Sequence, residues 1–136
     1  MKDDPHVQYD ELELGGDQLL MWRGHPFTGT AYETDPAGTV IGDARYVQGL
    51  QTGAAHEWSA AGRILSDCTY ENGSKHGLCR RWYENSQLES EAEYRFSIKV
   101  REKCWSADGM LVKDWSLPHN DAQWALIALL ERRFQH

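Results

Sequence analysis

The sequence predicts a mainly β fold, built from stacked antiparallel hairpin repeats and finished by a C-terminal α-helix. Three observations carry that expectation. The chain repeats itself about every 24 residues: Gly29-Thr-Ala-Tyr-Glu-Thr-Asp-Pro-Ala-Gly38 aligns with Gly53-Ala-Ala-His-Glu-Trp-Ser-Ala-Ala-Gly62, Gly77-Leu-Cys-Arg-Arg-Trp-Tyr-Glu-Asn-Ser86 and Val100-Arg-Glu-Lys-Cys-Trp-Ser-Ala-Asp-Gly109. Within each unit, apolar and polar residues alternate with the period of a strand. After Pro118 the glycines stop and helix formers take over.

The elements follow in order along one domain, 1–136. Residues 1–22 predict an N-terminal hairpin, Tyr9–Leu14 and Asp17–Trp22 around Gly15-Gly16, which would extend the sheet while its acids discourage edge association. Residues 23–117 hold the repeats. Arg63–Tyr70 and Gln87–Tyr94 read as strands, with Ile64, Ser66, Cys68 and Tyr70 on one face and Leu88, Ser90, Ala92 and Tyr94 matching them. Asn72-Gly73 and Asp108-Gly109 tolerate the positive φ of tight turns, and Ala37-Gly38 and Ala61-Gly62 sit at matching places. Each unit is therefore one hairpin, and the units form a meander. Residues 118–136 predict a helix with Pro118 in its first turn and Asn120 or Asp121 near its cap. Leu126, Ile127, Leu129, Leu130 and Phe134 share one arc of that helix, bordered by Trp124. The arc is expected to pack on the sheet's concave face or terminal edge, with a dimer partner or a toxin as the alternative.

Two strands per unit return equivalent residues to the same face, two strand spacings apart. Trp58, Trp82 and Trp105 are expected to form one ladder and Tyr46, Tyr70 and Tyr94 another, supplying contacts that a single-layer sheet otherwise lacks.

The segments Tyr70-Glu-Asn-Gly-Ser-Lys-His-Gly77, Trp82-Tyr-Glu-Asn-Ser-Gln-Leu88 and Glu91-Ala-Glu-Tyr94 resemble the variant MORN repeat. That pattern runs Tyr-x-Asn-Gly-Lys-x-x-Gly, an aromatic pair, Asn-Gly-x-Leu, and an acid three residues before Tyr. The unit at 46–70 matches more loosely; the unit at 94–117 is one residue shorter, with Ser97 and Val100 in its glycine columns. The resemblance spans roughly 22–117 and implies an elongated, twisted sheet of stacked hairpins. It also implies an antitoxin or immunity component encoded beside a bacterial toxin, or a scaffolding module, and brings no catalytic residues with it. Fold carries over on such grounds more firmly than function.

Charge narrows the partner. The net charge is −7, distributed as −5 over residues 1–20, −4 over 21–94 and +2 over 95–136. An acidic front and middle disfavour phosphate-backbone binding and suit a basic protein. Three cysteines, Cys68, Cys79 and Cys104, are an odd number without a CxxC pair, and Met1-Lys-Asp-Asp-Pro5 is too acidic for a targeting peptide. With no apolar run of membrane length, a cytoplasmic location is expected.

No catalytic motif is present, and the six histidines show no ligand spacing, so no enzyme activity, cofactor or metal is expected. Cys79 beside Arg80 and Arg81 is read as a small packing residue, although neighbouring cations would favour its thiolate. The column Asp43, Asp67, Glu91 and Asp114, widened by Glu89 and Glu93, is the candidate functional surface, with Trp58 and Tyr83 as exposed aromatic anchors. Its alternative reading is structural, with Arg45 or Lys113 as cross-strand partners. The expectation is thus a non-enzymatic antitoxin or immunity protein that binds a basic toxin domain directly, as a monomer or weak dimer, with neither nucleic acid nor membrane as partner. A scaffold or adaptor module is the alternative.

Overall fold

A computed structural model of the chain describes residues 4–134. Its strands are β1 (His6–Gln8), β2 (Glu13–Leu14), β3 (Leu20–Trp22), β4 (His25–Pro26), β5 (Gly29–Thr34), β6 (Val40–Val47), β7 (Leu50–Trp58), β8 (Ile64–Glu71), β9 (Ser74–Trp82), β10 (Leu88–Arg95), β11 (Ile98–Trp105) and β12 (Leu111–Ser116), and one helix, α1 (Gln123–Phe134), follows. Strands β5 to β12 pair in chain order as an antiparallel meander, and β1 joins its far side parallel to β5, giving nine strands in one open sheet. The expected mainly β architecture with one C-terminal helix is the one observed.

Two turn types alternate, and backbone conformation explains both. Gln48-Gly49, Asn72-Gly73 and Phe96-Ser97 each hold both residues at positive φ, the geometry whose twist matches that of the flanking strands. The other end of each hairpin is a wider loop. In Asp35–Thr39, Ser59–Arg63, Tyr83–Gln87 and Ser106–Met110 the first residue's N–H donates to the fifth residue's carbonyl at 2.8–2.9 Å. Asn72-Gly73 and Asp108-Gly109 therefore belong to different turns, although both are x-Gly pairs. The fourth loop residue is left-handed: Gly38 at φ 89°, Gly62 at 83°, Gly109 at 92°, but Ser86 at 70°. A Cβ in that region costs about 1–2 kcal/mol, while glycine adds about 0.4–1 kcal/mol of unfolded-state entropy. Ser86→Gly is therefore expected to raise stability by about 0.5–1 kcal/mol, read as an increased urea midpoint at unchanged slope. An unchanged or lower midpoint would contradict the strain argument.

The strands carry repeated bulges. Each even strand from β6 to β12 has one unopposed residue near its start, Ile41, Leu65, Glu89 or Val112, because the register shifts there. Alternation therefore holds for Ser66, Cys68 and Tyr70, but breaks before Ile64; Leu88 is separated from Ser90 in the same way. Further along, Gly53 and Gly77 sit at φ 105° and 103° where β7 and β9 shift register. The matching place in β11 is Val100, in a shift with one residue fewer, which accounts for the shorter last unit.

Both ends of the array depart from expectation. Residues Tyr9–Glu11 form a 3-10 turn, and the hairpin that follows pairs β2 with β3 and then β4 as a separate three-stranded sheet. It does not extend the main sheet. The hairpin folds back, with the Leu20 N–H donating to the Gly49 carbonyl at 3.0 Å. This leaves the edge position to β1, seated where Gly29 at φ 153° leaves room: a Cβ there would lie 2.4 Å from the Pro5 carbonyl oxygen. Val7, Phe27 and Ala31 form a buried cluster beneath, with Leu12, Trp22 and Tyr46 against it.

At the other end, α1 starts at Gln123, five residues after Pro118; Pro118 lies in a preceding turn. Asp121 supplies the side-chain acceptor for the Gln123 N–H at 2.9 Å. Ile127 is buried with Val100 and Leu117, and Ile98, Trp115 and Trp124 pack around them. The helix thus closes the terminal hairpins of its own chain. Only part of its apolar arc is covered, because Leu126, Leu129 and Phe134 stay exposed. The last two residues assigned to the helix, 135 and 136, lie outside the described residues.

Candidate functional site: two faces of one sheet

Register decides what the acidic column becomes. Residues paired across neighbouring strands share a face. One row runs Tyr32, Asp43, His56, Asp67, Arg80, Glu91, Lys103 and Asp114 across eight strands. The acids occupy the even strands, as their spacing of one period demands. The odd strands insert His56, Arg80 and Lys103 between them. Two contacts close across the strands, a hydrogen bond between His56 Nδ1 and Asp43 at 2.8 Å and an ion pair from Arg80 Nε to Glu91 at 2.7 Å. The column is therefore a row of acids interleaved with an imidazole and two cations rather than an acidic stripe.

The pairing partners differ from those the sequence suggested. Arg45 pairs with Asp4, and Lys113 with Glu102 at 2.8 Å. Glu93 accepts from Arg101 and lies 3.8 Å from Arg95. Glu89 stands at the β10 bulge, out of line with Glu91 and Glu93. The half-period spacing held a usable signal: His56 and Arg80 each follow an acid by thirteen residues, and Lys103 follows Glu91 by twelve in the shortened unit. A base that recurs midway between acids is what a two-strand period places opposite them.

Neither aromatic anchor is free of the sheet. Trp58 stacks on His56, with centroids 5.3 Å apart and planes 22° from parallel. Trp58, Trp82 and Trp105 each end an odd strand, two residues beyond His56, Arg80 and Lys103, so the tryptophan ladder shares the charged row's face. The Tyr83 hydroxyl donates to the Trp105 carbonyl at 2.9 Å, tying the loop between β9 and β10 to the end of β11.

The opposite face is a trough. Its floor is a row of small side chains, Ala31, Ala44, Ala55, Cys68, Cys79 and Ala92, directly opposed strand by strand. Tyr46, Tyr70 and Tyr94 line one side as the expected second ladder. Burial, followed by the neighbouring Tyr9, pushes the Tyr46 hydroxyl up to about 12, and burial also raises Tyr70, so both remain protonated phenols. Along the other side the Ser66 hydroxyl donates to Glu57 at 2.6 Å, and Arg81 lies 3.3 Å from the same carboxylate. Those donors, Ser66 foremost, hold Glu57 below the usual carboxylate range. Glu102 is lowered likewise by Lys113 and Lys99. Two hollows in this trough measure about 330 and 190 Å³. Both are open depressions across several strands.

Cys68 and Cys79 face each other on the trough floor and form a disulfide, leaving Cys104 as the free thiol. This corrects the reading of Cys79 as an unpaired packing residue. Eleven residues separate the two, a spacing with no motif of its own. Only the β8–β9 register brings them together.

Among the described residues, no group of three or more His, Cys, Asp or Glu is arranged to hold a metal ion, and no helix is long and apolar enough to cross a membrane. No protein-family model matches the chain, and neither does any curated protein.

Proposed function

We propose that this chain is a non-enzymatic antitoxin or immunity-type protein of the variant MORN kind, neutralising a cognate bacterial toxin in the cytoplasm by direct protein–protein contact. The observation that supports this most is the surface itself. Nine strands present two continuous faces, one a tyrosine-walled trough and the other a charged row flanked by tryptophans. Broad, aromatic-rich, part-polar surfaces are what protein interfaces use. Asp43, Asp67, Glu91 and Glu93 bring the electrostatic component, and Trp58 and Tyr83 the anchors. A basic toxin domain would have to displace or share the internal bases.

That last requirement favours the second reading, a scaffold or adaptor module. A row whose acids are interleaved with Arg80 and Lys103 steers a basic partner less than a bare acidic stripe would. Co-expression separates the two. Expression with each gene encoded beside it should relieve the toxicity of one product and capture that product in a pull-down. No protection from any adjacent effector, together with stable capture of a non-toxic protein, would leave the scaffold.

The cytoplasmic part is tested by the cysteines. The Cys68–Cys79 disulfide speaks for an oxidising compartment, and a reducing one would open it. Alkylation of intact cells before lysis should label Cys68 and Cys79; a protected pair would place the chain in an oxidising compartment.

A further inference from the structure

The two edges of the main sheet are finished differently. At one, β1 is three residues long and preceded by Pro5, whose carbonyl is already taken by the Thr30 N–H at 3.0 Å. Short strands and proline blunt an edge. At the other, β12 ends the strand order, and no strand among the described residues pairs with its outer side. The Leu117 N–H donates inward to the Val100 carbonyl at 2.9 Å, so by antiparallel alternation Asp114 and Ser116 direct their N–H and C=O groups outward. The bulge at Val112 confines the regular open edge to Lys113–Ser116. Beside it, Met110, Leu111 and Val112 are 66%, 52% and 66% exposed.

The charged row says what belongs there. Asp67 lies between His56 and Arg80, and Glu91 between Arg80 and Lys103. Asp114 has Lys103 on one side and no strand on the other, and it makes no ion pair among the described residues. We propose that β12 accepts an extended strand from a protein partner, carrying Lys or Arg opposite Asp114 and apolar residues against Leu111 and Val112. The added strand continues the alternation by one position, its main chain satisfying the outward groups.

A second copy of this chain fits less well. Paired residues share a face, and the only cation of β12, Lys113, lies on the face opposite to Asp114. No antiparallel self-pairing of β12 sets a base against that acid. The inference rests on reading the chain as a binding module, and specifies the segment a partner must offer.

The test uses the full chain and two ten-residue peptides of alternating Thr and Val, identical except for a central Lys or Glu, titrated by amide NMR. The Lys peptide is expected to shift the amides of Lys113–Ser116, and to bind about tenfold more tightly than the Glu peptide. Asp114→Lys, confirmed folded by circular dichroism, should reverse that order. Equal binding of both peptides, shifts confined to the trough or to β1, or no binding of either would overturn the proposal. So would a dimer of the chain alone in sedimentation, which would make a second copy the occupant. No toxin takes part, so this test fails or succeeds separately from the co-expression experiment.

Discussion

Phe27→Ala is expected to destabilise the protein by about 3–5 kcal/mol, the range for truncating a buried phenylalanine. Phe27 is 1% exposed, at the centre of the cluster where the N-terminal hairpin, β1 and β5 meet. Its ring lies edge-on to Trp22 at 5.9 Å and tilted to Tyr46 at 6.1 Å. Removing it leaves both rings facing a void and detaches the hairpin from the first repeat. The loss matters more than in a layered fold, because a single-layer sheet has little other core. Repeat arrays draw stability from neighbouring units and need caps at their ends. Urea denaturation followed by tryptophan fluorescence measures the effect, and hydrogen exchange should show β1 and β5 losing protection before β8 and β9. A cost under about 1 kcal/mol would mean that the cluster is not the cap described.

Ile127→Ala is expected to cost about 2–5 kcal/mol at the opposite end. Ile127 is 1% exposed between Val100 and Leu117, while Leu129, two residues on, is 53% exposed. Leu129→Ala should therefore stay within about 0.5 kcal/mol of the parent, as surface substitutions do. The contrast distinguishes a helix that completes the fold from one that merely follows it. Equal effects at the two positions, or none at either, would show that α1 does not seal the sheet.

These two residues also mark where sequence reading stopped. Phe27 belongs to no repeat column, and nothing in its neighbourhood announces a core position. Ile127 was legible as one of an apolar arc, but the arc alone does not say which of its members meets Val100 and Leu117. The candidate site was legible to the same degree. Asp43, Asp67, Glu91 and Asp114 stood out by spacing, whereas their neighbours His56, Arg80 and Lys103 emerged from register. Glu89 left the row because a bulge consumed one residue of alternation. Cys68 and Cys79 became a pair for the same reason that Arg80 meets Glu91: strands adjacent in the meander bring together residues that no local pattern relates.

By itself the sequence determined the unit: a hairpin of about 24 residues, its turns and the faces its strands present, because φ preferences and a two-residue period act within a few neighbours. Tertiary structure alone decided which side chains oppose one another, which end is capped by which cluster and which edge stays open. Those outcomes depend on register, bulges and long-range burial, which arise only when distant strands meet.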